Sequence, residues 1–442
     1  MTDFVVTGPA GPLRGVVRVP GDKSIAHRSL LVAALADGES EVRALPDGDD
    51  VARSASAVQR IGARLVDQGP ARHPGTRGVV RISGGRSCLH APDGALDMGN
   101  SGTAMRLMCG LVAPWPWSVT LTGDASLRRR PMRRIARPLR MMGAHVDCQG
   151  DGCTAPLQID GGDLDGIDYA PPEASAQVKG AVLLAGLGAE GETVVRERYP
   201  TRTHTEDLLA ACGARVTVDV DDEGRRCVRV SASKLDPLSI EIPSDPSHGA
   251  FWIVAACTVP GSNVTVQNLY VGPARAGFLD VLRRMGADVT VEEKPGTEPI
   301  ADVTAAYAPL QATDVDADEV PGLIDEIPIL AVAAAHAEGV TRFSGLGELR
   351  AKESDRLATV VSMLASFGVD AVASVDVDGL SVTGHGGRYL GAGRVDAHLD
   401  HRIAMASAVA ALYSDGPTTI GGWEAVATSY PTFAEDLAGL AR

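Results

Sequence analysis

Pro20-Gly21-Asp22-Lys23-Ser24-Ile25-Ala26-His27-Arg28-Ser29-Leu30-Leu31-Val32-Ala33-Ala34-Leu35 opens a helix and, by recurring along the chain, decides the fold. Pro20-Gly21 breaks the strand before it, and Ser24 is the expected N-cap. The run from Ser29 is apolar and strongly helical. Lys23, His27 and Arg28 therefore crowd the first turn. That end of a helix already carries unpaired N–H groups and about half a positive charge, so acids are preferred there to bases. A solvated helix start leaves the three bases unexplained. A cradle for a phosphate or carboxylate accounts for them.

The same design returns six times. A polar group precedes a helix of small apolar residues, then a Gly-containing turn and a β-branched strand. The copies begin near Ser24, Ser101, Ser175, Ser247, Asp325 and His401, 72 to 78 residues apart. A second helix keeps phase with the first and ends in Gly before a strand, at Gly62, Gly143, Gly213, Gly286 and Gly368. Two series of one period in 442 residues mark a repeat architecture. Each unit reads as helix–strand–helix–strand–strand. The sixth ends in a helix with no strand after it, and Phe4-Val5-Val6-Thr7 can supply the missing piece. The fold class is α/β. Strand breaks near Pro20 and Pro243-Ser244 divide the chain into one domain of residues 21–243, with units one to three, and another of residues 1–20 plus 244–442. If the six first helices point their N-termini one way, their dipoles converge on one cleft and make it an anion trap.

Composition sets the limits. A chain of this length is expected to form two or more domains. Its net charge of −15 argues against nucleic acid or an anionic membrane as partner. Met1-Thr2-Asp3-Phe4-Val5-Val6 has no basic or signal-type stretch, and no apolar run approaches 18 residues, so a cytoplasmic protein is expected. The seven cysteines are odd in number and lack a C-x-x-C pair. Buried thiols are expected, rather than disulfides or zinc ligands. Only Lys23, Lys179, Lys234, Lys294 and Lys352 are lysines, so a lysine kept among many arginines is slightly informative.

The remaining helix starts carry donors and charges. Around the second, Gly99 and Gly102 let backbone N–H groups approach a ligand, with Asn100 and Thr103 as further donors and Arg106 a turn beyond. Pro131 is expected at N1 of the next helix, holding Arg130 extended just outside it. Met132, Ile135, Leu139 and Met142 form that helix's apolar face, leaving Arg133, Arg134, Arg137 and Arg140 to solvent. Ser175, Ala176 and Gln177 offer uncharged donors, and Arg202 follows the third unit's second strand. At the fifth start Asp325 and Glu326 put carboxylates where other units have donors. Asp325 is either a helix cap or a base near a substrate hydroxyl. Lys352 and Arg356 would repel on one helix, Glu353 and Asp355 offset them in part, and a small anion between the cations explains the pair. Asp400-His401-Arg402 is again a basic start. His248, His336 and His385 read as structural.

Taken in order, Lys23-Ser24…Arg28, Gly99-Asn100-Ser101-Gly102-Thr103-Ala104-Met105-Arg106, Arg130-Pro131-Met132, Ser175-Ala176-Gln177, Lys352-Glu353-Ser354-Asp355-Arg356 and Asp400-His401-Arg402 closely resemble the 5-enolpyruvylshikimate-3-phosphate synthase family over essentially the whole chain. The resemblance implies two domains, each of three βαβαββ units, with helix N-termini facing an interdomain cleft. It implies transfer of the enolpyruvyl group of phosphoenolpyruvate to the 5-hydroxyl of shikimate 3-phosphate through a tetrahedral ketal, with release of phosphate. By position, shikimate 3-phosphate would meet Lys23, Ser24, Arg28, Ser175, Ala176, Gln177, Arg202, Asp325 and Lys352. Phosphoenolpyruvate would meet Lys23, Gly102, Arg130, Lys352, Arg356 and Arg402, near Asn100 and Thr103. Asp325 would take the hydroxyl proton, Glu353 would exchange the methylene proton, and Lys23 would serve as acid/base and charge partner. No metal or cofactor is implied, and a cytoplasmic monomer is. The family is the target of glyphosate, which competes for the phosphoenolpyruvate site. Two features depart from some members: Ala427-Thr428-Ser429-Tyr430-Pro431 lacks a lysine, and Ser101 and Leu107 stand where Ala and Pro can occur. The nearest rival transfers the same group to UDP-N-acetylglucosamine, but it usually carries a cysteine in the loop matching Gly123–Pro131, which here has none. A non-catalytic phosphometabolite-binding protein is disfavoured by keeping Lys23, Asp325 and Glu353 together. RNA-end processing on a related repeat fold is disfavoured by the net charge and the scarcity of stacking aromatics.

Overall fold

Six helices of small apolar residues are buried on nearly every side: Lys23–Leu35, Gly102–Val112, Ala176–Gly186, Pro246–Thr258, Ile327–His336 and His401–Ala411. Burial all round explains their lack of a polar face. The computed structural model describes residues 2–441 apart from Arg72, Thr297, Val375 and Val377. The chain forms two compact units, Gly21–Ile242, and Met1–Pro20 with Pro243–Arg442.

Each buried helix leads into a small sheet. In the Gly21–Ile242 unit, Leu96–Asp97 runs parallel to Ser118–Thr122, which pairs antiparallel with Thr154–Asp160, itself antiparallel to His145–Gln149. The sheet of Asp168–Tyr169, Glu192–Glu197, Arg226–Ser231 and Val216–Val220 repeats the pattern. The remaining sheet begins at Gly38–Arg43 and takes its short parallel strand from Ser239–Glu241, at the other end of the unit. The second unit closes likewise. Arg14–Val17 lies parallel to Asn263–Tyr270. Phe4–Thr7 pairs antiparallel with Pro417–Gly421, Phe4 opposite Ile420, and fills the strand position that the sixth repeat lacks. Its core gathers Trp252, Phe278, Phe343, Phe367, Tyr430 and Phe433.

The second helices end as their glycines predict. Gly62, Gly143, Gly213, Gly286 and Gly368 each follow the C-cap residue with φ between +72° and +113°. A left-handed residue there returns the chain to the sheet at no cost to glycine. Helix packing is tightest at Gly110, where a Cβ would lie 2.0 Å from the carbonyl oxygen of Ala181 on the neighbouring buried helix. Gly110→Ala must therefore push two helices apart, and about 1–3 kcal/mol of stability should be lost. Thermal unfolding checks this; an unchanged Tm would contradict the packing.

Two local expectations need correction. Asp22, not Ser24, caps the first helix, its side chain accepting from the amide of Ile25 at 2.8 Å. A carboxylate both caps and complements the dipole, so it outcompetes a hydroxyl. The cysteines are not all buried thiols: Cys88 is exposed, and Cys148 and Cys153 form a disulfide across the turn joining two antiparallel strands, their Cα atoms 4.9 Å apart. Among the described residues no helix is long and apolar enough to cross a membrane.

Candidate active site

In the Gly21–Ile242 unit the first helix brings its bases to one end. Lys23 Nζ donates to the buried Asp50 at 2.9 Å and itself remains partly exposed. Arg28 is buried and fully directed: Nε donates to Thr205 Oγ1 at 2.7 Å, Nη1 to the Ser24 carbonyl at 3.0 Å and Nη2 to the Ala176 carbonyl at 3.2 Å. Ser24, freed from capping, accepts from Arg202 Nη1 at 3.0 Å. Lys23, Ser24, Arg28, Ala176 and Arg202 thus converge from the starts of three helices, beside Ser175, which caps its own.

The second gathering surrounds Gly102, the first residue of its helix, capped by Ser101. A Cβ on Gly102 would stand 3.1 Å from a guanidinium nitrogen of Arg106 and 3.1 Å from one of Arg130. Arg130 Nη2 donates to Asn100 Oδ1 at 2.5 Å, and Asn100 Nδ2 to Asp124 at 2.7 Å. Gln177 joins the group, accepting from Arg106 at 2.6 Å and donating to Thr103 Oγ1 at 2.8 Å. Arg130 is extended as expected, but the following helix starts at Arg133 with Met132 as N-cap, so Pro131 lies outside it rather than at N1. The apolar face Met132, Ile135, Leu139 and Met142 is buried.

In the other unit the site centres on Asp325, which is not the N-cap of its helix; Glu326 holds that position. A 3₁₀ turn, Ile324–Glu326, precedes its helix, and the Asp325 carboxylate accepts from Lys352 Nζ at 3.1 Å and lies 3.5 Å from Arg356 Nη1. Arg402 Nη1 donates to the Asp325 carbonyl at 3.0 Å. Arg356 is gripped by Asp400 at 2.9 and 3.2 Å and by a very short contact to Glu353. Its helix begins at Arg356, capped by Asp355, so Lys352 and Arg356 share no helix, yet the two cations still oppose one another across Asp325. Burial works against the Arg356 charge, but Asp400, Glu353 and Asp325 outweigh it and hold the guanidinium cationic.

Lys352 behaves differently. Desolvation by its surroundings lowers its pKa below the ordinary lysine range, with Asp325 pulling the other way. A lowered ammonium pKa means that the charge is lost, on raising pH, earlier than from an exposed lysine. KM for an anionic ligand held there should therefore rise on the alkaline side, beginning at lower pH than an exposed lysine would give. Lys352→Arg should flatten that alkaline limb, because guanidinium does not titrate there. A limb unchanged in Lys352→Arg would assign it elsewhere.

Of the three bases expected to cradle an anion at the first helix start, His27 needs correction: it is buried, with Nδ1 2.7 Å from Ser54 Oγ and Nε2 3.4 Å from Ser101 Oγ. Burial first, then the charges of Lys23 and Arg28, hold it well below its usual range, so it is neutral and links the first two helix starts. Sequence reading passed over Thr205 and Asp50, whose only signal is a polar residue near a helix start. In the segment before Pro431, Thr428 Oγ1 meets His401 Nδ1 at 3.4 Å, and Ser429 Oγ meets His248 Nε2 at 2.9 Å. His248 and His336 are buried, and desolvation lowers the His336 pKa to about 4.

A family model described as EPSP synthase (3-phosphoshikimate 1-carboxyvinyltransferase) matches residues 7–437. A curated protein named 3-phosphoshikimate 1-carboxyvinyltransferase from Sphingopyxis alaskensis is 47% identical over 453 residues, covering 100% of both chains. One of the same name from Phenylobacterium zucineum is 44% identical over 433 residues, covering 98% of this chain and 93% of that one. Among solved structures, EPSP synthase from Acinetobacter baumannii matches with a TM-score of 0.84 at 41% identity, over 99% of this chain and 98% of that one. The enolpyruvyl transferase NikO from Streptomyces tendae matches at 0.76 with 19% identity, over 99% and 97%, a likeness of fold alone.

Proposed function

The chain belongs to the EPSP synthase family, and we propose that its two clusters of cations and carboxylates carry that family's reaction. It is a 3-phosphoshikimate 1-carboxyvinyltransferase of the shikimate pathway, transferring the enolpyruvyl group of phosphoenolpyruvate to the 5-hydroxyl of shikimate 3-phosphate with release of phosphate. Lys23, Ser24, Arg28, Ser175, Ala176, Gln177, Arg202, Asp325 and Lys352 bind shikimate 3-phosphate. Phosphoenolpyruvate is held by Lys23, Gly102, Arg130, Lys352, Arg356 and Arg402, with Asn100 and Thr103 fixing Arg130 and Gln177.

Asp325 accepts the proton of the 5-hydroxyl as its oxygen bonds to C2 of phosphoenolpyruvate. Glu353 delivers a proton to the methylene carbon, giving a tetrahedral ketal. The hydroxyl proton passes from Asp325 to the departing phosphate, and return of the methyl proton to Glu353 restores the double bond. Fixed cations stabilise the phosphate and carboxylate charges throughout. The observation that carries this reading is Asp325, a carboxylate that forgoes capping and is aimed by Lys352 and Arg356 instead. Phosphate release from phosphoenolpyruvate with shikimate 3-phosphate, and with UDP-N-acetylglucosamine as the competing acceptor, tests the assignment. Release only with the shikimate ester is expected; release only with the sugar nucleotide would overturn it.

A further inference from the structure

Behind the Arg28–Arg202 cluster lies a closed set of four charges that the reaction does not touch. Lys179 Nζ donates to Glu197 Oε2 at 2.9 Å and Glu206 Oε1 at 2.8 Å, and Arg226 Nη1 reaches the same two oxygens at 2.9 and 2.8 Å. Lys179, Glu197 and Glu206 are buried, and the set is neutral. Such a cluster contributes little net stability, since apolar residues of similar volume often do as well or better. What it holds is more telling.

Thr201 is tied to it at three atoms. Its amide donates to Glu197 Oε1 at 3.2 Å, its hydroxyl makes a very short bond to the same oxygen, and its carbonyl accepts from Lys179 Nζ at 3.4 Å. Thr201 lies in a stretch without regular structure, between the strand ending at Glu197 and the helix starting at His204. The next residue is Arg202, which reaches Ser24, and three residues further Thr205 receives Arg28. We propose that Lys179 and Glu197 are positioning residues that, through Thr201, set Arg202 for the phosphate of shikimate 3-phosphate. This rests on the assignment of Arg28 and Arg202 to that ligand.

Two matched double variants separate positioning from mere support. Lys179→Met with Glu197→Met removes one cation, one anion and both acceptor and donor of the hold on Thr201. Glu206→Met with Arg226→Met removes the same charges but keeps that hold. The first pair should raise KM for shikimate 3-phosphate about tenfold, with kcat and KM for phosphoenolpyruvate within about threefold, and the second should leave all three within about twofold. Equal KM shifts in both pairs, or none in the first, would overturn the proposal. Should the first pair fail to fold by circular dichroism, Thr201→Val decides, because it keeps all four charges and removes one hydroxyl. A KM rise of about threefold supports the proposal and an unchanged KM overturns it. Wild-type protein that releases no phosphate with shikimate 3-phosphate would instead sink the functional reading itself.

Discussion

Lys23→Met is expected to lower turnover by about 10²–10³-fold or more while the protein stays folded. The lysine stands at the positive end of a buried helix, where a base disfavours the helix itself. Its ammonium pairs with Asp50 at 2.9 Å and remains partly exposed, so it is paired without being enclosed. Methionine matches the length of the stem and removes only the charge. Losing the pair leaves Asp50 without that partner, which should cost about 1–2 kcal/mol, or roughly 2–4 °C in Tm. Phosphate release under saturating substrates, together with a thermal melt, makes the measurement. An unfolded Lys23→Met protein would assign the residue to structure, and unimpaired turnover would remove it from the reaction.

The second large effect is expected at Asp325. Asp325→Asn keeps the size and the hydrogen-bonding capacity toward Lys352 but cannot accept a proton, so kcat should fall by about 10³–10⁴-fold. Binding of shikimate 3-phosphate, followed by calorimetry, should change by less than about tenfold, because the asparagine oxygen can still accept from Lys352. A fall in affinity that matches the fall in kcat would make Asp325 a binding group rather than a base. Its surroundings favour the base. Lys352 and Arg356 hold the carboxylate in place, and Arg402 fixes the carbonyl of the same residue.

These expectations show where local sequence is informative. The repeat was legible because each unit must solve one problem, the return from a buried helix to a sheet. It does so with a left-handed glycine at Gly62, Gly143, Gly213, Gly286 and Gly368. Helix starts were legible because bases there oppose the dipole. What stayed hidden depends on partners remote in the chain. Arg28 is aimed by Thr205, 177 residues away, and Arg106 by Gln177, 71 residues away. No periodicity announces such pairs. Asp325 could be read either as a cap or as a base, and only the positions of Lys352 and Arg356 separate the two. Lys179 stood out as one of five lysines, yet its part in a closed cluster with Glu197, Glu206 and Arg226 required three other elements to be in place.

The pairing of Phe4–Thr7 with Pro417–Gly421 bears on how the protein is made. The first strand leaves the ribosome early but finds its partner only after nearly the whole chain has followed. At about 5–20 residues per second that wait lasts tens of seconds. Meanwhile Gly21–Ile242 emerges complete, its last strand Ser239–Glu241 closing on Gly38–Arg43. That unit can finish folding during synthesis, while the segment before it remains an unpaired strand. Val5, which is 56% exposed even when paired, belongs to that waiting edge. The order of assembly is thus written into the topology, inserted unit first and enclosing unit last.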